Sequence, residues 1–447
     1  MNNIESIFAF STLSSEAFFF FLPLIILSFG AILALILGTD KNKGRSLSFV
    51  VSLFAASAAL LCLAMTLYYP EINLQVGVVK FNTFSRAIGA MVLLFTIAGI
   101  IISKGIDKKE QLASELYALM LFASAGMILM LTTSHLLFMF IALEIMSLPI
   151  YVMVAMRRTM QSSAEAGLKY FILGGLASAF FLYGASLIFG ATGSFELEAI
   201  HSFLINSSNT AFIFYIGSAL ICVALFFKIG AFPFHSWLPD VYQGAATNVT
   251  AFMGAAVKFT AFISFARISQ NLLFIEGQAV WFKNIFWIVS AASMIYGNIV
   301  AISQTEMKRM LSFSTIAHTG YLLVGLFLIT KENLGLETIT LYLFFYALST
   351  LGAFAVVAYL EEKNQKGLTL EQITGLNEKN KPMAFMMSVF LLSMAGIPLT
   401  SGFIGKYGLF NFAVNEGAVP LVIVAVLTSA ISIYYYLRVI IFMYMKS

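Results

Sequence analysis

Charge is what this chain has least of. Only 10% of its 447 residues are Asp, Glu, Lys or Arg, while 60% are hydrophobic; a soluble domain carries about 25% charged residues. A soluble fold of this length would need far more polar surface, so a bilayer is the solvent the composition fits. The net charge of +4 is small and scattered, and nucleic acid is not an expected partner. The two cysteines, Cys62 and Cys222, lie in apolar runs without metal-ligand spacing and read as core thiols. The four histidines are too dispersed for a metal site, and none has ligand spacing with cysteine. Also missing are a GxGxxG after a strand, a GxxxxGKS loop, a CxxC series and paired haem histidines. No metal or redox cofactor is therefore expected in this chain, and the 45 phenylalanines read as lipid-facing bulk. Residues 1–15 lack a basic n-region, with Glu5 their only charge. The first apolar run is expected to stay as a helix rather than be cleaved.

What is present is a succession of long apolar runs. At about 20 residues per span, thirteen candidates have centres near residues 27, 58, 93, 122, 145, 177, 218, 257, 291, 320, 348, 393 and 431. The expected fold class is an all-α polytopic membrane protein. Threaded with the N-terminus outside, the cytoplasmic connections receive fifteen basic residues, among them Lys41, Lys43, Arg45, Arg157, Arg158, Lys308, Arg309, Lys366 and Lys446. The outer side receives five: Lys80, Arg86, Arg267, Lys283 and Lys331. This threefold bias supports the threading and leaves the C-terminus cytoplasmic.

Five basic residues fall inside spans: Lys169, Lys228, Lys258, Lys406 and Arg438, with Glu115 and Glu144 the acids in comparable positions. A lysine or carboxylate at the bilayer centre costs about 2.5–3.5 kcal/mol on insertion scales. Glu144, Lys228, Lys258 and Lys406, all at depth, would together cost on the order of 10 kcal/mol unless they face one another or water. A static ion pair would leave two lysines over, whereas a buried lysine that exchanges its proton suits transport. Lys169 follows Glu165 by four residues near a span end; a surface Glu–Lys pair and a place in the proton line are both open. Glu115 reads as interfacial, with a site role possible, and Arg438 as snorkelling. His235 suits a relay or a helix cap. His318 suits a relay or a hydrogen-bonded core position equally well, and His135 and His201 read as solvated in outer connections.

The seventh and twelfth spans overrun a plain helix and carry glycine and proline: KIGAFPFHSWLPD after Lys228, and MAGIPLTSGFIGKY around Lys406. Irregular backbone at membrane depth is tolerated where protein buries it or it lines a watery cavity. A broken helix beside a titratable lysine is how secondary transporters build an ion site. Two such breaks point to two five-helix units, spans four to eight and nine to thirteen, inverted because five is odd. The expected organisation is a three-helix segment over 1–106, a first repeat over 107–270 and a second over 271–447.

The segments EIMSLPIYVMVA, EAGLKYFILGGLASAFFLYGASLIFGATGS, KIGAFPFHSWLPDVYQGA, QTEMKRMLSFSTIAHTGYLLVG and MAGIPLTSGFIGKY resemble the antiporter-like subunits of respiratory complex I, over about residues 80–440. Lysine rather than glutamate at 406, together with LKYFILGG, narrows the likeness within that superfamily. The resemblance implies fourteen helices with inverted repeats, whereas this chain reads as thirteen. It also implies a hydrophilic axis of Glu144, Lys228, Lys258 and Lys406, with Lys169 and His235 as accessory positions. It further implies proton translocation coupled to quinone reduction, with NADH, flavin (FMN), iron–sulfur clusters and quinone held by partner subunits, in a bacterial inner membrane. Neighbouring antiporter-like subunits and the lipid bilayer are the expected partners. A subunit of a multisubunit Na⁺/H⁺ antiporter or membrane-bound hydrogenase, or a structural membrane scaffold, is the alternative.

Overall fold

The computed structural model describes residues 15–40, 42–68, 74–110, 114–157, 159–206, 211–273, 280–330, 334–364 and 367–445. The expectation for residues 1–14, and the basic positions Lys41, Arg158, Lys331, Lys366 and Lys446, lie outside the described residues.

Each of the thirteen expected spans falls on a helix. Helices α1 (Ser15–Gly38) and α2 (Gly44–Leu67) precede a β-hairpin, β1 (Leu74–Val76) with β2 (Val79–Phe81), which turns at Gly77 (φ 57°). There follow α3 (Thr83–Glu110), α4 (Glu115–Thr132), α5 (Leu136–Val154) and α6 (Gln161–Thr192), then a short amphipathic α7 (Leu197–Asn206) in the long connection. The seventh span is α8 (Phe212–Ile229) with α9 (Trp237–Gly244). The eighth is α10 (Thr247–Leu272), interrupted by a π-helical turn over Met253–Val257. Then come α11 (Val280–Ser303), α12 (Met307–Leu326), α13 (Gly335–Asn364) and α14 (Leu376–Lys379). The twelfth span is α15 (Lys381–Ala395) with α16 (Ser401–Asn415), and α17 (Val419–Met445) is the last. Among the described residues, eleven helices are long and apolar enough to cross a membrane. The two exceptions have local causes: α12 is rich in Ser, Thr and His, and α15 stops at Gly396.

Bare glycine lets the helices pack backbone to backbone, the association mode that lipid favours. A Cβ on Gly184 of α6 would stand 2.6 Å from the Gly217 carbonyl of α8, and one on Gly217 would stand 2.7 Å from that of Gly184. Helices α10 and α12 form the buried centre of the bundle, nearly every residue of each being inaccessible.

Connections alternate between two ends, as the basic-residue pattern expects. Val79 pairs with Thr133 and His135 with Glu196 at one end. Arg157, Glu306, Lys308 and Thr369 line one cavity at the other. A structural repeat runs through the bundle, at a spacing of 171 residues from α4 to the start of α5 and of 173 in the connection that follows α6. A Cβ on Gly126 of α4 would meet Met146 N of α5 at 2.5 Å, and one on Gly297 of α11 would meet Ala317 N of α12 at 2.5 Å. Leu136 N donates to Phe195 O and Leu197 N to Ser134 O; likewise Met307 N donates to Leu368 O and Leu370 N to Thr305 O, each at 2.9 Å. The end of α5 and the start of α12 line the same cavity, so these matching helices run in opposite directions.

Candidate functional site

The first break follows from two residues. Gly230 takes φ 70°, ends α8, and passes the chain out with Gly230 N on Phe227 O and Ala231 N on Phe226 O. Pro233 has no N–H for the carbonyl four residues back, so Ile229 O is freed. That carbonyl is taken by Thr319 Oγ1 of α12 at 3.0 Å, while Trp237 Nε1 donates to Phe227 O at 3.0 Å. The broken helix is thus closed by side chains from beyond the break, and Lys228 is held in its last turn.

Lys228 Nζ donates to Ser147 Oγ of α5 at 2.6 Å and lies 5.6 Å from the ring centres of both Tyr151 and Tyr170. Glu144 is one turn from Ser147 on the same helix, within electrostatic reach of Lys228, and accepts from Ser178 Oγ of α6. No direct ion pair joins Glu144 and Lys228 among the described residues. Lys258 begins the α-helical stretch after the π-turn of α10, a feature common at functional sites. Its Nζ donates to Thr315 O at 2.7 Å and stands 4.7 Å from the Tyr346 ring centre. Thr315 O also receives Thr319 Oγ1 at 3.0 Å. The donor that closes the first break, Thr319, and the acceptor that holds Lys258, Thr315, are therefore one turn apart on α12.

At the second break Gly396 takes φ 80°. Lys406 Nζ donates to Ala395 O at 3.0 Å and to Ser429 Oγ at 2.9 Å, with the Tyr321 ring centre 5.0 Å away. A Cβ on Gly396 would come within 2.9 Å of Lys406 Cδ, so the glycine serves both the turn and the lysine's approach. His318 lies between the two lysines. Its Nδ1 is 2.6 Å from Tyr342 Oη and its Nε2 is 3.2 Å from Tyr436 Oη, and it is within electrostatic reach of Lys406 and Lys258. In the 171-residue repeat His318 stands where Ser147 stands in the first unit. Each is the α5 or α12 position that faces the lysine system of its half.

The other candidates are placed differently. Lys169 pairs with Asp240 of α9, which also receives Arg309 at 3.2 Å; Glu165 is not its partner. Lys169 and Asp240 line the cavity at the basic end, where burial pushes the Glu306 carboxyl above its ordinary range against the opposing charge of Lys308. His235 is buried against Phe232 and Tyr296, at ring distances of 5.3 and 4.5 Å, and contacts neither lysine. Glu115 is exposed at the start of α4, beside a groove containing Tyr151 and Phe171. Arg438 donates to Ile302 O at the end of α11 (2.8 Å), and Arg267, inside α10, donates to Leu131 O at the end of α4 (2.6 Å). His135 packs between Phe138 and Phe195, and His201 Nδ1 meets Asn271 O at 3.2 Å. Sequence reasoning passed over Ser147, Thr315, Thr319 and Tyr346. The signal was there for part of this set: Thr315, His318 and Thr319 share one face of a buried helix at spacings of three and four.

Residues 133–432 match the family described as NADH:quinone oxidoreductase/Mrp antiporter, TM. NADH-quinone oxidoreductase subunit N of Rhodococcus opacus is 42% identical over 351 residues, 78% of this chain. The chain spans 64% of the length of that relative. The subunit N of Myxococcus xanthus is 37% identical across 97% of this chain and 90% of its own length. A chain of respiratory complex I from Thermus thermophilus superposes with a TM-score of 0.80 at 33% identity, covering 95% of this chain and 90% of that one. A chain of the Mrp complex from Dietzia sp. DQ12-45-1b has a TM-score of 0.86 at 21% identity, covering 97% of this chain and 81% of that chain, and shares the fold. The chain belongs to the NADH:quinone oxidoreductase/Mrp antiporter transmembrane family, among its subunit N members.

Proposed function

We propose that this chain is a proton-translocating membrane subunit of an NADH:quinone oxidoreductase. It moves H⁺ along Glu144, Lys228, Lys258, His318 and Lys406 while partner subunits holding NADH, FMN, iron–sulfur clusters and quinone carry out the redox chemistry. The carrying observation is that three buried lysines, on three helices, rest on carbonyls, hydroxyls and aromatic faces rather than on carboxylates. An ammonium held this way is stabilised just enough to form and is free to give up its proton.

In this reading Glu144 is the input. It lies on the side of α5 that carries the exposed Ile141, Ile145 and Leu148, within reach of a neighbouring subunit. An ionised Glu144 favours the ammonium of Lys228. Neutralising or withdrawing it releases that proton, through hydroxyls and water, toward Lys258, and from there past His318 to Lys406. Two unit charges in such a setting interact by a few kcal/mol at an effective dielectric near 20, enough to drive one transfer.

The 171-residue matches support two inverted units, over 107–270 and 271–447, behind a three-helix segment over 1–106. We place the basic end in the cytoplasm of a bacterial cell, with the first helix starting outside. The test is proton uptake per NADH oxidised by the reconstituted complex carrying Lys228→Met, Lys258→Met or Glu144→Gln. Each is expected to lower that ratio; wild-type ratios in all three would overturn the assignment.

A further inference from the structure

One amide lies fully buried inside the second half of the bundle. Asn298 of α11 is inaccessible, and its side chain joins three helices. Its Nδ2 donates to Met294 O in its own helix at 2.7 Å and to Tyr321 Oη of α12 at 3.0 Å. Its Oδ1 accepts from Tyr435 Oη of α17 at 3.0 Å. The Met294 carbonyl can only accept, so it fixes which end of the amide is nitrogen.

A buried amide is costly unless it is paired, and the fold does not call for one here. In the first unit, 171 residues earlier, the position of Asn298 is held by Met127 of α4 and that of Tyr321 by Ile150 of α5. Both are fully buried and apolar. The same helix pair therefore packs without polar side chains at these two positions, and packing alone does not explain the polar pair in the second unit.

What the pair faces is Lys406. The Tyr321 ring centre stands 5.0 Å from Lys406 Nζ, and the Tyr321 hydroxyl lies beside those of Thr428 and Ser429 on α17. Ser429 Oγ is the hydroxyl that accepts from Lys406 Nζ, at 2.9 Å. An amide N–H cannot accept, so Asn298 occupies a lone pair of Tyr321 Oη and leaves the phenol's single hydrogen for that edge of α17. The ring is thus pinned at its far end from both sides, with one face toward the ammonium.

We propose that Asn298 is a positioning residue for Lys406, acting through Tyr321, a proposal that rests on the translocation reading above. Asn298 fixes the ring plane and the hydroxyl direction of Tyr321. Tyr321 in turn holds its aromatic face toward Lys406 Nζ and its hydrogen toward the α17 edge that carries Ser429. Without the amide the phenol loses its donor and tilts, and Lys406 loses the setting in which it takes up and gives back a proton.

The test uses the complete complex in proteoliposomes driven by NADH, with the pumping rate expressed per assembled complex. Asn298→Leu keeps the branched shape of asparagine and removes the amide, while Tyr321→Phe keeps the ring and removes the hydroxyl. Asn298→Met, which installs the side chain of the first unit, enters the same comparison should Asn298→Leu not assemble. Each single variant is expected to pump about threefold or more below wild type. The double variant is expected to stay within about twofold of the slower single, because both substitutions break one link. A smaller loss in either single variant, with Lys406→Met defective, overturns the positioning role and leaves the function standing. A double variant slowed beyond that limit marks independent packing damage and also overturns it. Wild-type pumping by Lys406→Met overturns the function and the positioning role together.

Discussion

Thr319→Val isolates the contact that closes the first broken helix. The Thr319 hydroxyl is fully buried and lies 3.0 Å from both Ile229 O and Thr315 O. Valine keeps the shape and removes the donor. Pro233 cannot replace it, so Ile229 O loses the partner that ties α8 to α12. Leaving a buried carbonyl unsatisfied costs about 1–3 kcal/mol, which is roughly 5- to 150-fold in the equilibrium between a docked and an undocked break. Hydrogen exchange of the assembled complex reads that equilibrium directly, because local opening sets amide protection. Amides of residues 230–236 are expected to lose protection by that factor, with helices distant from the break unchanged. Proton uptake per NADH is expected to fall with it, since Lys228 is carried by the loosened end. Thr319→Ser keeps the donor and is expected to restore both. Unchanged protection over 230–236 in Thr319→Val would refute the reasoning that this hydroxyl holds the break.

Further outcomes follow from other contacts. Gly217→Val places carbon at 2.7 Å from Gly184 O and is expected to destabilise the assembled complex by about 1–3 kcal/mol. Gly175→Ala, with nothing within 4 Å, is expected to leave its thermal midpoint in place. At the end opposite the basic cavity, burial pushes the His135 imidazole below its ordinary 6.5, with Glu196 opposing. Its neutral form is favoured in the fold, so its contribution is present above pH 6.5 and lost as pH falls below it. The melting deficit of wild type at pH 5.5 relative to pH 8 is expected to shrink in His135→Gln. Arg438→Met removes the cation from the last turn of α11 and is expected to cost about 0.3–1 kcal/mol, read as a small loss of thermal stability that Arg438→Lys partly restores.

The spans were legible because periodicity hardly matters for a helix surrounded by lipid and protein: length and apolarity suffice. Even α12 and the α15–α16 pair, which fail a strict apolar test, could be placed from their neighbours and from the alternation of basic residues. The breaks were legible because glycine and proline act locally, and so were Glu144, Lys228, Lys258 and Lys406, because charge in an apolar run is costly wherever it points. The hydroxyl groups were not. Serine, threonine and tyrosine are cheap in a membrane helix, so their presence carries no warning, and whether Thr319 bonds its own helix or a carbonyl freed ninety residues earlier depends on packing. Lys169 shows the same limit. Glu165 was its neighbour by spacing, but α9 brings Asp240 to it from 71 residues away.

By itself, the sequence determined that this chain crosses a membrane about thirteen times, breaks two of its helices, and sinks a carboxylate and three lysines among them. These are consequences of composition and of backbone chemistry at single residues. Only the tertiary structure decided that α10 and α12 form the buried centre, that His318 rather than His235 stands between lysines, and which hydroxyls and carbonyls each lysine rests on. Such choices rest on hydrogen bonds between distant segments, and a hydrogen bond's geometry does not exist until the helices are packed.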